Sequence, residues 1–174
     1  MNMSKEKVCG VKLKGEKQEE CSVAILGEEL ETFSTKDDSE IVERISEEQP
    51  SVVAFTNPLT KPKDKDFRDD EQELVEDGHS FLPPSMFDNQ LIERTVYIKK
   101  AIQQNYRPQV IETRPKVSSD ILNIENDRDL ELLGIKTEDI ETMEEFESVV
   151  AAITARKYLK NSCKDKGFIV PVQE

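Results

Sequence analysis

Two carboxylates stand in settings where acids can do chemistry. Glu112 lies near the carboxyl end of a short apolar strand, the end at which open α/β sheets usually place their sites. Glu147 lies on a long helical segment, on the same face as the small residues Ala151 and Ala155, which predict close packing against a sheet. A carboxylate pressed toward an interior needs a metal ion or a cationic side chain as its partner. Each acid alone also fits a simpler interpretation, a surface acid for Glu112 and a charge that favours the helix dipole for Glu147.

Several other common sites are absent from the sequence. It contains no Gly-rich phosphate loop, no GxSxG elbow and no HExxH motif. The single histidine, His79, lies in an Asp-Gly-His-Ser stretch that is typical of an exposed turn. Cys9, Cys21 and Cys163 are odd in number and widely spaced, which indicates neither a disulfide framework nor a zinc site.

Charge and hydropathy restrict the class of protein further. The formal net charge is -13, from 24 Lys and Arg against 37 Asp and Glu. This balance argues against a general nucleic-acid scaffold, because affinity for polyanions depends on cations that neutralise phosphates. It leaves a nuclease possible, since such a site is itself acidic and is bridged to phosphate by metal ions. The sequence shows no membrane-length apolar stretch and no signal-peptide core, so the expected location is the cytoplasm. Oligomeric state is left open.

Short apolar runs, separated by Gly, Pro and clusters of charged residues, predict the strands that position these residues. The predicted strands comprise residues 8–13, 21–26, 30–34, 51–55 and 109–113, with a further edge strand at 168–171. The main predicted helices comprise a short one capped by Asp38 or Ser39, another near 67–75, and long ones at 90–104 and 144–160. Three strands in quick succession predict an antiparallel meander. The alternating elements after them predict a mixed α/β sheet covered by helices, in one domain of residues 1–174.

A set of motifs in fixed order carries a family resemblance. In chain order they are GVKL (10–13), AFTNPL (54–59), FLPPSM (81–86), LIER (91–94), VIETRP (110–115), EFES before VVAA (145–152) and FIVP (168–171). This set resembles a family of predicted RNase H-like nucleases, catalogued as a domain of unknown function. Members of that family carry GIDLA, AIDAPL, FFPPSM, LxxR, VIEVYP and HELDA before an Ala-rich helix. The resemblance covers nearly the whole chain and implies the RNase H-like fold.

The resemblance implies acids at four positions, and two of them are replaced. Lys12 stands at the first-strand Asp, and Thr56 stands at the Asp of AIDAPL. Glu112 matches the Glu of VIEVYP, and Glu147 stands at the Asp of HELDA. Two-metal hydrolysis needs several oxygen ligands that hold ions about 4 Å apart. Glu112 and Glu147 are therefore the candidate catalytic and metal-binding residues, and we expect the Lys12 ammonium to lie near both and to neutralise them.

Three functions follow from these residues. The first is a divergent RNase H-like protein with a partly lost metal site, weakly active or non-catalytic and without a cofactor. The alternative is an active nuclease for DNA or RNA that binds Mg²⁺ or Mn²⁺ at Glu112 and Glu147. In that case Arg68, Arg94 and Arg114 are the candidate phosphate clamps. The third is a structural or interaction module. Whether the protein is an enzyme thus stays open, and nucleic acid is the candidate partner.

Overall fold

The structure is a computed structural model, and it describes residues 6–173. Its strands are β1 (Val8–Lys12), β2 (Cys21–Leu26), β3 (Leu30–Thr35), β4 (Val52–Phe55), β5 (Gln109–Glu112), β6 (Cys163–Asp165) and β7 (Ile169–Pro171). Its helices are α1 (Asp38–Glu48), α2 (Asp69–Glu76), α3 (Asn89–Asn105), α4 (Pro115–Leu122), α5 (Asp127–Leu132) and α6 (Met143–Leu159), with a 3₁₀ turn at Pro84–Met86. None of the helices within this described range is long and apolar enough to cross a membrane.

Five strands form the main sheet in the order β3-β2-β1-β4-β5. The first three strands pair antiparallel, whereas β4 pairs parallel to β1 and β5 pairs parallel to β4. The short charged connections between β1, β2 and β3 allow the meander, while α1 and α3 provide the longer crossovers that parallel pairing needs. The predicted mixed α/β sheet with an antiparallel meander is confirmed.

Helix α6 covers one face of the sheet at very short range. Residues Ser148 to Ala155 are all buried. A Cβ atom added to Gly10 on β1 would lie 1.9 Å from the carbonyl oxygen of Ser148, so the helix backbone rests directly on the strand. Only glycine allows this approach. The predicted burial of the closing helix is confirmed, and the contact places Glu147, the residue before Ser148, beside β1.

Helices α1 and α3 cover the opposite face. Ile41 and Ile45 of α1 and Ile98 and Ile102 of α3 are fully buried against apolar side chains of the sheet. Helix α1 is capped by the side chain of Asp37, which accepts a hydrogen bond from the backbone of Ser39 at 2.9 Å. The expected cap at Asp38 or Ser39 is wrong by one or two positions, because the cap must stand before the first helical residue, Asp38.

The last predicted strand forms, but it does not extend the main sheet. Strand β7 pairs antiparallel with β6, a strand that the sequence pattern did not indicate, and the two make a separate hairpin. A three-residue strand with mixed polarity, such as Cys163–Asp165, carries too little periodicity to be recognised. The hairpin turn at Gly167 has φ of 89°, a conformation that favours glycine.

Candidate functional site

The candidate residues lie at one edge of the sheet because three of its strands run parallel. The carboxyl ends of β1, β4 and β5 coincide, with Val11 opposite Phe55 and Phe55 opposite Glu112. Lys12 ends β1, and Thr56 directly follows β4, its backbone N–H bonded to the Val11 carbonyl at 3.1 Å. This edge is where open α/β sheets place their sites.

Lys12 forms an ion pair with Glu147. Its Nζ lies 2.9 Å from Oε2 of Glu147, and the two side chains are 27% and 30% exposed. The neighbouring Lys14 donates to Oε1 of Glu144 at 3.0 Å, one helical turn before Glu147. This hydrogen bond lowers the pKa of Glu144 and raises the pKa of Lys14. The strand β1 and the start of α6 are thus joined by two lysine–glutamate pairs.

Glu112 is paired with Arg68, whereas Lys12 was the expected partner. Arg68 contacts both oxygens of its carboxylate, with Nη1 2.9 Å from Oε2 and Nη2 3.2 Å from Oε1. The backbone N–H of Leu59 also donates to Oε1 at 2.7 Å. The expectation that Lys12 neutralises both carboxylates is therefore corrected. Different cations contact the two acids, because Glu147 stands on α6 beside β1 while Glu112 ends β5, two strands away.

Arg68 also joins two loops to the start of α2. It donates to the carbonyl oxygens of Gly167 at 2.6 Å and Thr60 at 2.8 Å, and its Nη1 lies 3.3 Å from Oε2 of Glu71. Burial acts to lower the pKa of Arg68, but the hydrogen bond to Glu112 and the negative charges of Glu112, Glu71 and Asp165 together outweigh it and raise that pKa above its ordinary value. Glu71 is fully buried, and its burial raises the pKa of its carboxyl. The sequence pattern did not indicate Glu71 as a site residue, although an acid three residues after a helix N-cap is the signature of a capping box.

Arg114 is the most deeply buried of the three candidate phosphate clamps. Its guanidinium lies 4.9 Å from the ring centre of Phe168 and 5.2 Å from that of Phe87. Its Nη2 is 3.7 Å from Oε2 of Glu112, and Nη1 donates to the Thr113 carbonyl. Its Nε and Nη2 have no hydrogen-bond partner in the described part of the chain. Burial lowers the pKa of Arg114 to about 10.

Arg94 is held by other partners. Its Nη2 lies 2.6 Å from Oδ1 of Asp38, and its Nη1 donates to the Lys14 carbonyl at 2.7 Å. Its side chain is only 6% exposed. All three arginines thus make internal contacts through their guanidinium groups, and their role as phosphate clamps stays a prediction.

The side chains at this edge do not fit a two-metal centre. Between residues 6 and 173, no three His, Cys, Asp or Glu side chains come together in a group that is able to hold a metal ion. The ammonium of Lys12 and the hydroxyl of Thr56 stand at the two positions where the family resemblance implies acids. The Thr56 Oγ1 is buried without a hydrogen-bond partner in the same described range. The contacts that this arrangement shows are ion pairs and hydrogen bonds between side chains of the sheet edge and those of α6 and the neighbouring loops.

Comparisons with known structures identify the fold. The structure titled T. thermophilus RuvC in complex with Holliday junction substrate matches with a TM-score of 0.54 and 12% identity, over 95% of this chain and 99% of that chain. A second Thermus thermophilus RuvC structure matches with a TM-score of 0.53 and 12% identity over the same shares. The chain has an RNase H-like fold. At this identity the likeness concerns the fold alone.

The comparisons do not support the narrower family assignment. No protein-family model matches the chain, and no curated protein matches it either. The resemblance to one catalogued family of predicted nucleases is therefore supported only at the level of the RNase H-like fold that the two share. The placement of Lys12, Thr56, Glu112 and Glu147 at one edge is a property of this chain's own structure.

Proposed function

We propose that this protein is a non-hydrolytic RNase H-like protein in which internal ion pairs replace a metal centre, and that it acts by binding. The observation that carries the proposal is the ion pair between Lys12 and Glu147, 2.9 Å long, at the carboxyl end of the central strand β1. Lys12, at this edge of the sheet, already neutralises the carboxylate of Glu147. Its charge therefore has a partner without a metal ion, although the side chain is partly buried.

The charge of Lys12 also opposes a metal ion directly. At an effective dielectric constant of 20, like charges about 4 Å apart repel by about 4 kcal/mol per unit of charge on the ion. A divalent ion bound to Glu147 would have to displace the ammonium or bear roughly twice that repulsion. The Arg68 guanidinium raises the same obstacle at Glu112, where it contacts both carboxylate oxygens.

Metal titration tests this proposal. Calorimetry of the unmodified protein with MnCl₂ and MgCl₂ is expected to show no binding at millimolar concentrations, and thermal unfolding is expected not to shift. A nuclease assay should include a four-way DNA junction, because one RuvC neighbour was solved with a Holliday junction substrate. Single-stranded DNA and an RNA–DNA hybrid complete the set, and no cleavage is expected of any of them.

A variant designed to gain metal binding tests whether this sheet edge can form a metal centre once acids replace Lys12 and Thr56. Lys12→Asp combined with Thr56→Asp places two further carboxylates beside Glu147 and should create measurable Mn²⁺ binding. Lys17→Asp combined with Gln18→Asp changes the net charge equally on an exposed loop and should create none. Tight metal binding by the unmodified protein, lost in Glu112→Gln or Glu147→Gln, would overturn the proposal in favour of an active nuclease.

A further inference from the structure

A groove between α1 and α3 lies on the face of the molecule that α6 does not cover. It has a volume of about 410 Å³, and its lining includes the apolar groups of Val42, Tyr97 and Ala101 and the carboxylates of Glu43 and Glu47. A second hollow of about 670 Å³ shares Tyr97 with it and extends it past Glu93. We call the two together the acidic groove. The ion pairs at the carboxyl edge of the sheet are no part of it.

The groove combines an exposed aromatic side chain with unpaired acids. The side chain of Tyr97 is 64% exposed on α3. Among residues 6–173, none of Glu43, Glu47 and Glu93 has a cationic side chain within ion-pairing distance. Asp38, by contrast, is neutralised by the buried Arg94. Lys17 and Arg94 also line the second hollow, but acids outnumber these cations around Tyr97. A cationic partner would cover the ring and reduce the repulsion among the acids.

The spacing of these residues indicates the shape of the missing partner. Glu93, Tyr97 and Ala101 follow one another at four-residue intervals on α3, and Glu43 and Glu47 do the same on α1, so each set forms a stripe along one helix face. The stripe on α3 from residue 93 to residue 105 is roughly 18 Å long. That length matches a helix of roughly 12 residues lying in the groove between two others.

We infer that the acidic groove is a docking surface for a basic amphipathic helix of another protein. The helix would place an apolar side chain against Tyr97, Val42 and Ala101, and lysine or arginine side chains against Glu43, Glu47 and Glu93. A second copy of this chain is a poor occupant, because the same carboxylates would then face one another. Nucleic acid and anionic lipid surfaces carry the wrong charge for the groove.

Fluorescence anisotropy with a labelled peptide tests this inference. The probe is a synthetic 16-residue helix with Leu along one face and Lys on its flanks, and the control peptide replaces each Lys by Glu. Measurement at about 0.15 M salt weakens the nonspecific attraction between the Lys peptide and the acidic protein surface, since the Debye length is then about 8 Å. The Lys peptide should bind the full-length protein, and the Glu peptide should not.

Matched variants decide where the peptide binds. Glu43→Lys with Glu47→Lys should weaken binding about tenfold or more, and Tyr97→Ala about fivefold or more, because central aromatic anchors carry much of an interface's energy. Glu138→Lys with Asp139→Lys makes the same change in net charge on an exposed loop and should alter binding less than about twofold. Circular dichroism and thermal unfolding confirm that each variant is folded.

Three outcomes would overturn the inference. The first is no binding of the Lys peptide by the unmodified protein. The second is equal weakening by the Glu138 and Asp139 control pair, which would show general attraction to an acidic surface. The third is a dimer in analytical ultracentrifugation that Tyr97→Ala converts to monomer, which would assign the groove to self-association. None of these outcomes depends on metal binding or nuclease activity, so this inference and the proposed function fail separately.

Discussion

The guanidinium of Arg68 holds the carboxylate of Glu112 by two contacts of 2.9 Å and 3.2 Å, at the carboxyl end of the edge strand β5. The same guanidinium reaches the turn of the β6–β7 hairpin through the Gly167 carbonyl. A side chain that precedes α2 thus connects β5 to the terminal hairpin. Charge-assisted contacts to both carboxylate oxygens are about twice as strong as neutral hydrogen bonds. Arg68 therefore acts as a structural cation of this sheet edge.

Replacing Arg68 by Ala should destabilise the protein strongly. The buried Glu71 would lose its cation and Glu112 would keep only the more distant Arg114 at 3.7 Å, and breaking a buried pair typically costs about 3–5 kcal/mol. Because the Arg68 side chain is 20% exposed, we expect the lower end of this range, about 3 kcal/mol. Urea unfolding measures the change, and Arg107→Ala at an exposed position is the control. A loss under about 1 kcal/mol would show that the contacts contribute no more than a surface ion pair.

Replacing Arg114 by Met should be much milder than replacing Arg68. Arg114 lies 3.7 Å from Glu112, and two of its buried nitrogens have no hydrogen-bond partner in the described part of the chain. The desolvation of a poorly paired buried cation offsets most of its attraction, and Met preserves the apolar contacts with Phe87 and Phe168. We expect a change within about 1 kcal/mol by urea unfolding. A cost equal to that of Arg68→Ala would show that Arg114 is the principal partner of Glu112.

Glu71 should make stability depend on pH in a definite direction. Burial raises the pKa of its carboxyl in the folded protein above the ordinary value of about 4.3. The folded state then binds the proton more tightly, so this contribution to stability is present below the ordinary pKa and is lost as pH rises through the raised pKa.

Comparison with Glu71→Gln isolates that contribution. The free energy of unfolding of the unmodified protein minus that of the variant should decrease as pH rises above the ordinary carboxyl range. Urea titrations at several pH values measure this difference. The subtraction removes the pH dependence that the other acidic groups contribute to both proteins. A difference that increases with pH would mean that pairing with Arg68 lowers the pKa instead.

Gly10→Ala should disturb the contact between β1 and α6. The new methyl group would lie 1.9 Å from the Ser148 carbonyl oxygen and 2.6 Å from the Ala152 nitrogen, and both are backbone atoms that cannot turn aside. Overpacking of this kind costs about 1–3 kcal/mol and sometimes more. Gly15→Ala, whose nearest contact is a side-chain atom at 3.4 Å, is the control and should be near neutral. A neutral Gly10→Ala in thermal unfolding would show that the helix can move away at little cost.

The sequence by itself determined the order and type of the main elements. The apolar runs of β1, β2, β4 and β5 and the long amphipathic helices are local signals, because a strand or helix must carry its own buried face. The ordered motifs added the RNase H-like fold, which is confirmed, and the expectation that Lys12 and Thr56 replace acids, which stays a prediction. Even the ion pair between Lys12 and Glu147 followed from the expectation that a lysine on the first strand would reach the closing helix.

Only the tertiary structure decided which cation meets Glu112. Arg68 precedes Glu112 by 44 residues in an irregular segment, and no periodic pattern predicts where such a segment folds back. The hairpin of β6 and β7, the buried Glu71 and the groove beside Tyr97 depend in the same way on contacts between distant elements. Side-chain pairing at a sheet edge is settled by geometry and desolvation, which act only once the chain has brought its charges together.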